Sequence, residues 1–140
     1  LRDSAMAELR RAHALDPALA ITMYNIGDIF ESMGQTDSAH AWIDRSLEAA
    51  PQLVLSLQLR ARSATMSGDS ASAISMLRRL QAASTRVAAP ISELERAWGR
   101  GGGKELARSM GDLRRNRHVP GDAVFWLAVA GDIEGSLGAW

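Results

Sequence analysis

The stretch of this 140-residue chain that most invites a chemical reading is Gly99-Arg100-Gly101-Gly102-Gly103-Lys104. A glycine-rich loop ending in Lys can wrap backbone N–H groups and an ammonium around phosphates, provided it follows a strand and obeys G-x4-G-K-[ST]. Here Trp98 occupies the place of the first Gly and Glu105 that of the Ser or Thr, and the preceding ISELERAWGR has helical rather than strand periodicity. The stretch is therefore expected to be a flexible turn between helices and not a phosphate site.

The remaining candidates are sparse. His13, His40 and His118 are the only histidines, and none lies three or four residues from another. His13 with Asp16 and His40 with Asp44 are isolated pairs, whereas zinc needs three or four convergent ligands, so no metal site is expected. The absence of cysteine removes thiolate ligands, thiol nucleophiles and disulfides. No motif sets a Ser, His and Asp on a strand-to-helix elbow or places a carboxylate pair. The expectation is a non-enzyme without cofactors. The densest basic run, Leu113-Arg114-Arg115-Asn116-Arg117-His118, lacks interleaved aromatics and reads as cations closing a helix C-terminus, not as a nucleic-acid patch.

Composition sets the frame in which those residues sit. Sixteen basic and 16 acidic residues give a formal net charge of zero, so no global field draws nucleic acid or an anionic membrane. Residues 1 to 51 carry 4 Arg and 8 acids, net −4, and the rest carries the compensating +4. An apolar fraction of 46% with only 5% aromatics favours closely packed Ala-rich helices over a β core. The longest apolar run, 123–130, is far short of the roughly 20 residues of a membrane helix. A soluble region is expected, cytoplasmic or alternatively periplasmic. Leu1 opens directly inside a helical pattern, which suggests a piece of a longer polypeptide.

The elements follow from apolar spacing. Ile21, Tyr24, Ile26, Ile29, Phe30 and Met33 form one run of helical period, and Ala39, Trp42, Ile43 and Leu47 form a second. Between them Gly34 can take the positive φ that ends a helix, and Thr36 or Asp37 is expected to cap the next. Small Gly27 and Ala39 stand where two antiparallel helices must approach closely. The hairpin then recurs. Pro17 and Pro51 are 34 residues apart, Gly34, Gly68 and Gly102 keep that step, and Ala5, Ala39, Ala73 and Ala107 keep it through four copies.

Met23-x2-Ile26-Gly27-x2-Phe30, then Ala39-x3-Ile43, then Pro51, resembles the tetratricopeptide repeat, whose 34-residue pattern is W-x2-L-G-x2-Y, A-x3-F, P. The resemblance implies an all-α, right-handed superhelix of about four helical hairpins filling residues 1–140: a partial repeat at 1–17, repeats at 20–51 and 54–85, a degenerate one at 88–119, and a short terminal hairpin at 120–140. In the third copy Arg60 stands where the family places Leu, and is expected to snorkel to solvent or to rotate its helix. In the fourth, Gly111 replaces a bulky apolar residue and is expected to loosen or kink the second helix. Trp98 is expected in a repeat core, and Trp42 on the outer or inter-repeat side. Trp126 and Trp140 fall in the terminal hairpin.

In this family the first helices of successive repeats line a concave groove that receives a protein or peptide segment. The positions implied are Ile21, Tyr24, Asp28 and Glu31, then Leu55, Gln58, Arg62 and Thr65, then Ala89, Ser92, Arg96 and Gly99. Tyr24, Asp28, Glu31, Gln58, Arg62 and Arg96 are the candidate binding residues. Arg62 and Arg96, one period apart, can grip a carboxylate or phosphate, or Asp28 or Glu31 can neutralise Arg62 instead. Tyr24 and Asp28 stand where chaperone-tail-binding members carry Lys and Asn, so that ligand is not implied. Similar arrays also form the sensory or assembly region of larger bacterial regulators of winged-helix or cyclase type, which is the alternative reading. Self-association through the unpaired first helix is a third.

Overall fold

The structure is a computed structural model that describes residues 2–83 and 91–116, the side chains of Ile91 and of 113–116 excepted. Those residues form six α-helices and no strand: α1 (Arg2–Leu15), α2 (Ala20–Ser32), α3 (Thr36–Ala49), α4 (Val54–Ser67), α5 (Ser70–Ala83) and α6 (Ile91–Asn116). The protein is all-α over this range. The proposed terminal hairpin at 120–140, the basic side chains from Arg114 onward, Trp126 and Trp140 lie outside the described residues. None of the described helices is long and apolar enough to cross a membrane.

Two hairpins, α2 with α3 and α4 with α5, are built by the same backbone hydrogen bonds. Gln35 N–H reaches the Phe30 carbonyl and Gly34 N–H the Glu31 carbonyl; one period on, Asp69 N–H reaches Ala64 and Gly68 N–H reaches Thr65. This is the Schellman arrangement, which satisfies the last carbonyls of a helix by placing a left-handed residue after it. Gly34 and Gly68 accordingly have φ of 72° and 79°, a conformation open to glycine at no steric cost. The junctions between hairpins recur in the same way. Asp16 to Ala12, Leu19 to Asp16 and Met23 to Leu19 are matched by Ala50 to Ser46, Leu53 to Ala50 and Leu57 to Leu53.

The expected cap at Thr36 or Asp37 is not what forms. The N-cap of α3 is Gln35, which makes no side-chain capping bond, because the Schellman turn brings the chain into helix one residue earlier. In the next hairpin the equivalent residue is Asp69, and its carboxylate accepts the Ser72 N–H at 3.1 Å, so there the cap is genuine.

Side-chain packing explains the small residues. A Cβ on Gly27 would lie 2.7 Å from Ile43 Cδ1 and 3.2 Å from the Ala39 carbonyl, so α2 and α3 meet closely only because that side chain is missing. Ala39, Ala73 and Ala107 are all buried, while Ala5 is exposed on α1, a helix with no buried residue. The core runs through Ile43, Leu47, Leu57, Leu59, Leu77, Leu80, Leu94, Leu106 and Met110, with Tyr24, Ile74 and Trp98 packed against it. Each such buried side chain contributes about 1.5–3 kcal/mol. Ser46, fully buried, donates to the Ala20 carbonyl at 2.8 Å. Its one proton being spent, the Ser56 hydroxyl 2.7 Å away must donate to it, tying α2, α3 and α4 together.

In α6 the glycine-rich stretch is, as expected, a turn between two helices, here a tight kink. Gly101 (φ −158°, ψ 21°) and Gly102 (φ 64°, ψ −148°) break an otherwise helical run. Gly103 fits flush against α4, where a Cβ would stand 2.4 Å from the Thr65 carbonyl. Gly111 is buried inside the second half of that run and does not kink it; the bend lies at Gly101 and Gly102.

Candidate functional site

α4 packs on α2, the first helix of the preceding hairpin, and on α6. Sequence neighbours α1 and α2, α3 and α4, and α5 and α6 are also in contact. On α2 and α4 the residues that share a phase surface together. Ile21 and Leu55 are exposed apolar residues one period apart, Tyr24 and Gln58 are partly buried, and Asp28 and Arg62 carry opposite charges.

Arg62 Nη2 stands 3.8 Å from Asp28 Oδ1, so of the two expected roles for Arg62 the structure shows the neutralised one. The separation is that of a loose ion pair and not of a tight hydrogen bond. With the Asp28 side chain half exposed, such a pair contributes at most about 1 kcal/mol. Beside it, burial pushes the Tyr24 phenol above its ordinary value; Asp28 adds to that rise, and Arg62 opposes it. Tyr24, Asp28 and Arg62 therefore form one electrostatic group spanning α2 and α4.

The other candidates divide. Gln58 is on α4, one helical turn before Arg62. Arg96 is exposed on α6, with its Nε donating to the Ser92 carbonyl at 3.2 Å. Glu31 is not a freely presented groove residue: its Oε2 is closed from solvent and lacks a hydrogen-bond partner among the described residues. Its repeat equivalent Thr65 is buried, the hydroxyl returning to the Ala61 carbonyl at 2.8 Å. The twelfth position is thus turned inward in the two complete hairpins, with Gly103 closing over Thr65, whereas Gly99 at the same place in the next copy is exposed.

A second polar group lies in the seam between α3 and α4, and the sequence reading saw only its parts. His40 Nε2 is 2.6 Å from Ser63 Oγ and 3.4 Å from Arg60 Nη1. Arg60 Nε in turn donates to Asp44 Oδ1 at 3.2 Å. Arg60 does not run out to solvent; it is clamped between two residues of α3, with its side chain 16% exposed. Since Arg60 is a donor only, Nε2 faces it as an acceptor, which places the neutral ring's proton on Nδ1 and makes Ser63 the donor. Comparison across the repeat marks the anomaly. The places of His40, Ser63 and Arg60 are held by Met6, Ile29 and Ile26 one period earlier, and by Ile74, Ala97 and Leu94 one period later.

Clefts occupy the equivalent place in both flanking seams. One of about 370 Å³ lies between α1 and α2, lined by Met6, Arg10, Ile29 and Phe30 among others. Another of about 440 Å³ lies between α5 and α6, with Ile74 and Trp98 in its wall and the Arg78–Glu95 ion pair across it. Trp42 is at an inter-repeat position, edge-on to His13 of α1 at 5.0 Å and under the Arg45 guanidinium at 5.1 Å. Among the described residues no three His, Asp or Glu converge as a metal would require. No family model and no curated protein matches this chain.

Proposed function

We propose that the chain is a right-handed superhelix of tetratricopeptide-like hairpins, and that it is a non-catalytic module holding a protein or peptide segment along the wall formed by α2, α4 and the first half of α6. The observation carrying this reading is the exact recurrence, 34 residues apart, of six backbone hydrogen bonds at hairpin turns and junctions. A repeated joint adds each hairpin with a constant rotation, and that produces a curved wall of first helices. The wall offers apolar Ile21 and Leu55 beside Tyr24, Gln58 and the Asp28–Arg62 pair, with Arg96 farther along. Such a surface suits an extended segment bearing a carboxylate near an apolar side chain, since that carboxylate can replace Asp28 at Arg62.

The Ser63–His40 contact has the outline of a nucleophile with its base. Ser63 is only 3% exposed, however, and its hydroxyl sits between packed helices where no acyl group can approach. A structural clamp accounts for it. The test of the binding role is selection of a displayed random-peptide library on the wild-type chain and on the Arg62→Glu/Arg96→Glu variant. A consensus containing Asp or Glu that enriches on the first and not on the second supports the reading; identical enrichment on both removes it.

A further inference from the structure

We propose that the α3–α4 seam is a proton-operated latch, in which protonation of His40 breaks its contact with Arg60, reverses its hydrogen bond to Ser63 and loosens α4 from α3. The geometry favours a neutral ring. Nε2 accepts from Ser63 at 2.6 Å and faces the Arg60 Nη1 donor at 3.4 Å. A proton on Nε2 sets donor against donor at Arg60 and cation against cation across the same gap. It also asks the buried Ser63 hydroxyl to turn and accept, while its own proton loses its acceptor.

Every charged group facing the ring bears on the balance. Glu31 from α2 and Asp37 and Asp44 from α3 favour the imidazolium, and Arg60 from α4 opposes it. Asp69 at the head of α5 is close enough to feel His40 as well. Burial is the largest influence and, together with Arg60, outweighs the acids, so the imidazole is held below its ordinary value. Protonation strips Arg60 of one partner and leaves it the half-exposed Asp44 alone. Glu31 Oε2, buried and without a hydrogen-bond partner among the described residues, belongs to the acid of α2 that favours the cation.

The flanking seams supply the contrast. With Met6 and Ile29 in one, and Ile74 and Ala97 in the other, neither has a group at this place that titrates. At this position, therefore, a proton acts on the α3–α4 joint alone. Since α4 also carries Gln58 and Arg62, loosening this joint displaces the middle of the wall, a consequence that rests on the binding role proposed above; the latch itself does not.

The experiment uses the whole chain without a partner. Imidazole signals are followed by NMR from pH 8 to 4.5, with His40→Met, which copies the preceding repeat, assigning the His40 resonance. Amide-exchange protection factors are measured in α4 and α5 over the same range. The expected result is a His40 midpoint below about 6.5. Protection in α4 falls about threefold or more through that midpoint, while residues 72–80 of α5 change less. His40→Met is expected to keep α4 protected throughout. Constant α4 protection through the His40 midpoint, or the same fall in His40→Met, overturns the latch. Should His40→Met not fold, agreement or disagreement between the wild-type midpoint and the α4 transition decides alone.

Discussion

Substituting Gly27 by Ala tests the close approach on which the first hairpin depends. Gly27 lies inside α2 with helical backbone, so Ala gains about 1 kcal/mol of helix propensity. Against that, the new methyl would stand 2.7 Å from Ile43 Cδ1, 2.8 Å from Cγ1 and 3.2 Å from the Ala39 carbonyl. Ile43 is completely buried and branched at Cβ, so it has little freedom to withdraw. A contact this short falls in the upper part of the overpacking range, about 2–3 kcal/mol, leaving a net loss of about 1–2 kcal/mol. The next hairpin supplies the remedy: Ala61 occupies the Gly27 place and Leu77 the Ile43 place, both fully buried. Gly27→Ala/Ile43→Leu should therefore recover more stability than the single effects add up to, by about 1 kcal/mol of coupling. Urea denaturation followed by far-ultraviolet circular dichroism reads all four members of the cycle. A Gly27→Ala protein as stable as wild type, or additivity within about 0.5 kcal/mol, would refute the packing argument.

Four further outcomes follow from the same structure. Gly103→Ala forces a methyl onto the Thr65 carbonyl, a backbone atom that cannot swing away, and should cost about 2 kcal/mol or more in urea denaturation. Gly68→Ala meets no atom within 4 Å but must hold φ of 79°, so a loss of about 1 kcal/mol is expected from conformation alone, visible as a lowered denaturant midpoint. The His40 ring titrates below its ordinary value in the folded chain, so it stabilises fully above about pH 6.5 and ever less as pH falls through the depressed value. Thermal melts should show that loss in wild type and a flatter profile in His40→Met. The Asp69 carboxyl is held below its ordinary value by the Ser72 side chain first and the Ser72 backbone second. Its stabilisation is present above the usual carboxylate range and disappears as pH drops through the lowered value; Asp69→Asn, which keeps a capping oxygen, should flatten melts in that acid window.

What could be read from the amino acids was whatever the 34-residue step imposes on every copy. Gly34 and Gly68 mark the turns because each must take a left-handed backbone, and Ala39, Ala73 and Ala107 recur because each is buried. Tyr24, Asp28 and Arg62 come together for the same reason, since equal phase on adjacent first helices makes them neighbours. Departures from the step were harder to interpret. Arg60 looked misplaced until α3 supplied Asp44 and His40 opposite it, residues 16 and 20 positions away whose approach depends on the packing of α3 against α4. Glu31 shared the phase of Thr65, but its Oε2 is closed from solvent, and its nearness to His40 of α3 depends on packing that the spacing does not announce. Gln35 entered as cap because the Schellman turn fixes where α3 begins, a matter of backbone geometry that no side-chain preference announces.

The proposed binding wall can be examined most directly by adding a library-selected peptide to the isotopically labelled chain and recording amide and side-chain shift changes. The account predicts a continuous track through Ile21, Tyr24, Asp28, Leu55, Gln58, Arg62 and Arg96, with Arg62 Nε shifting as its carboxylate partner is exchanged. Changes confined to the outer faces of α3 and α5, or a track that leaves Arg62 and Arg96 untouched, would contradict it.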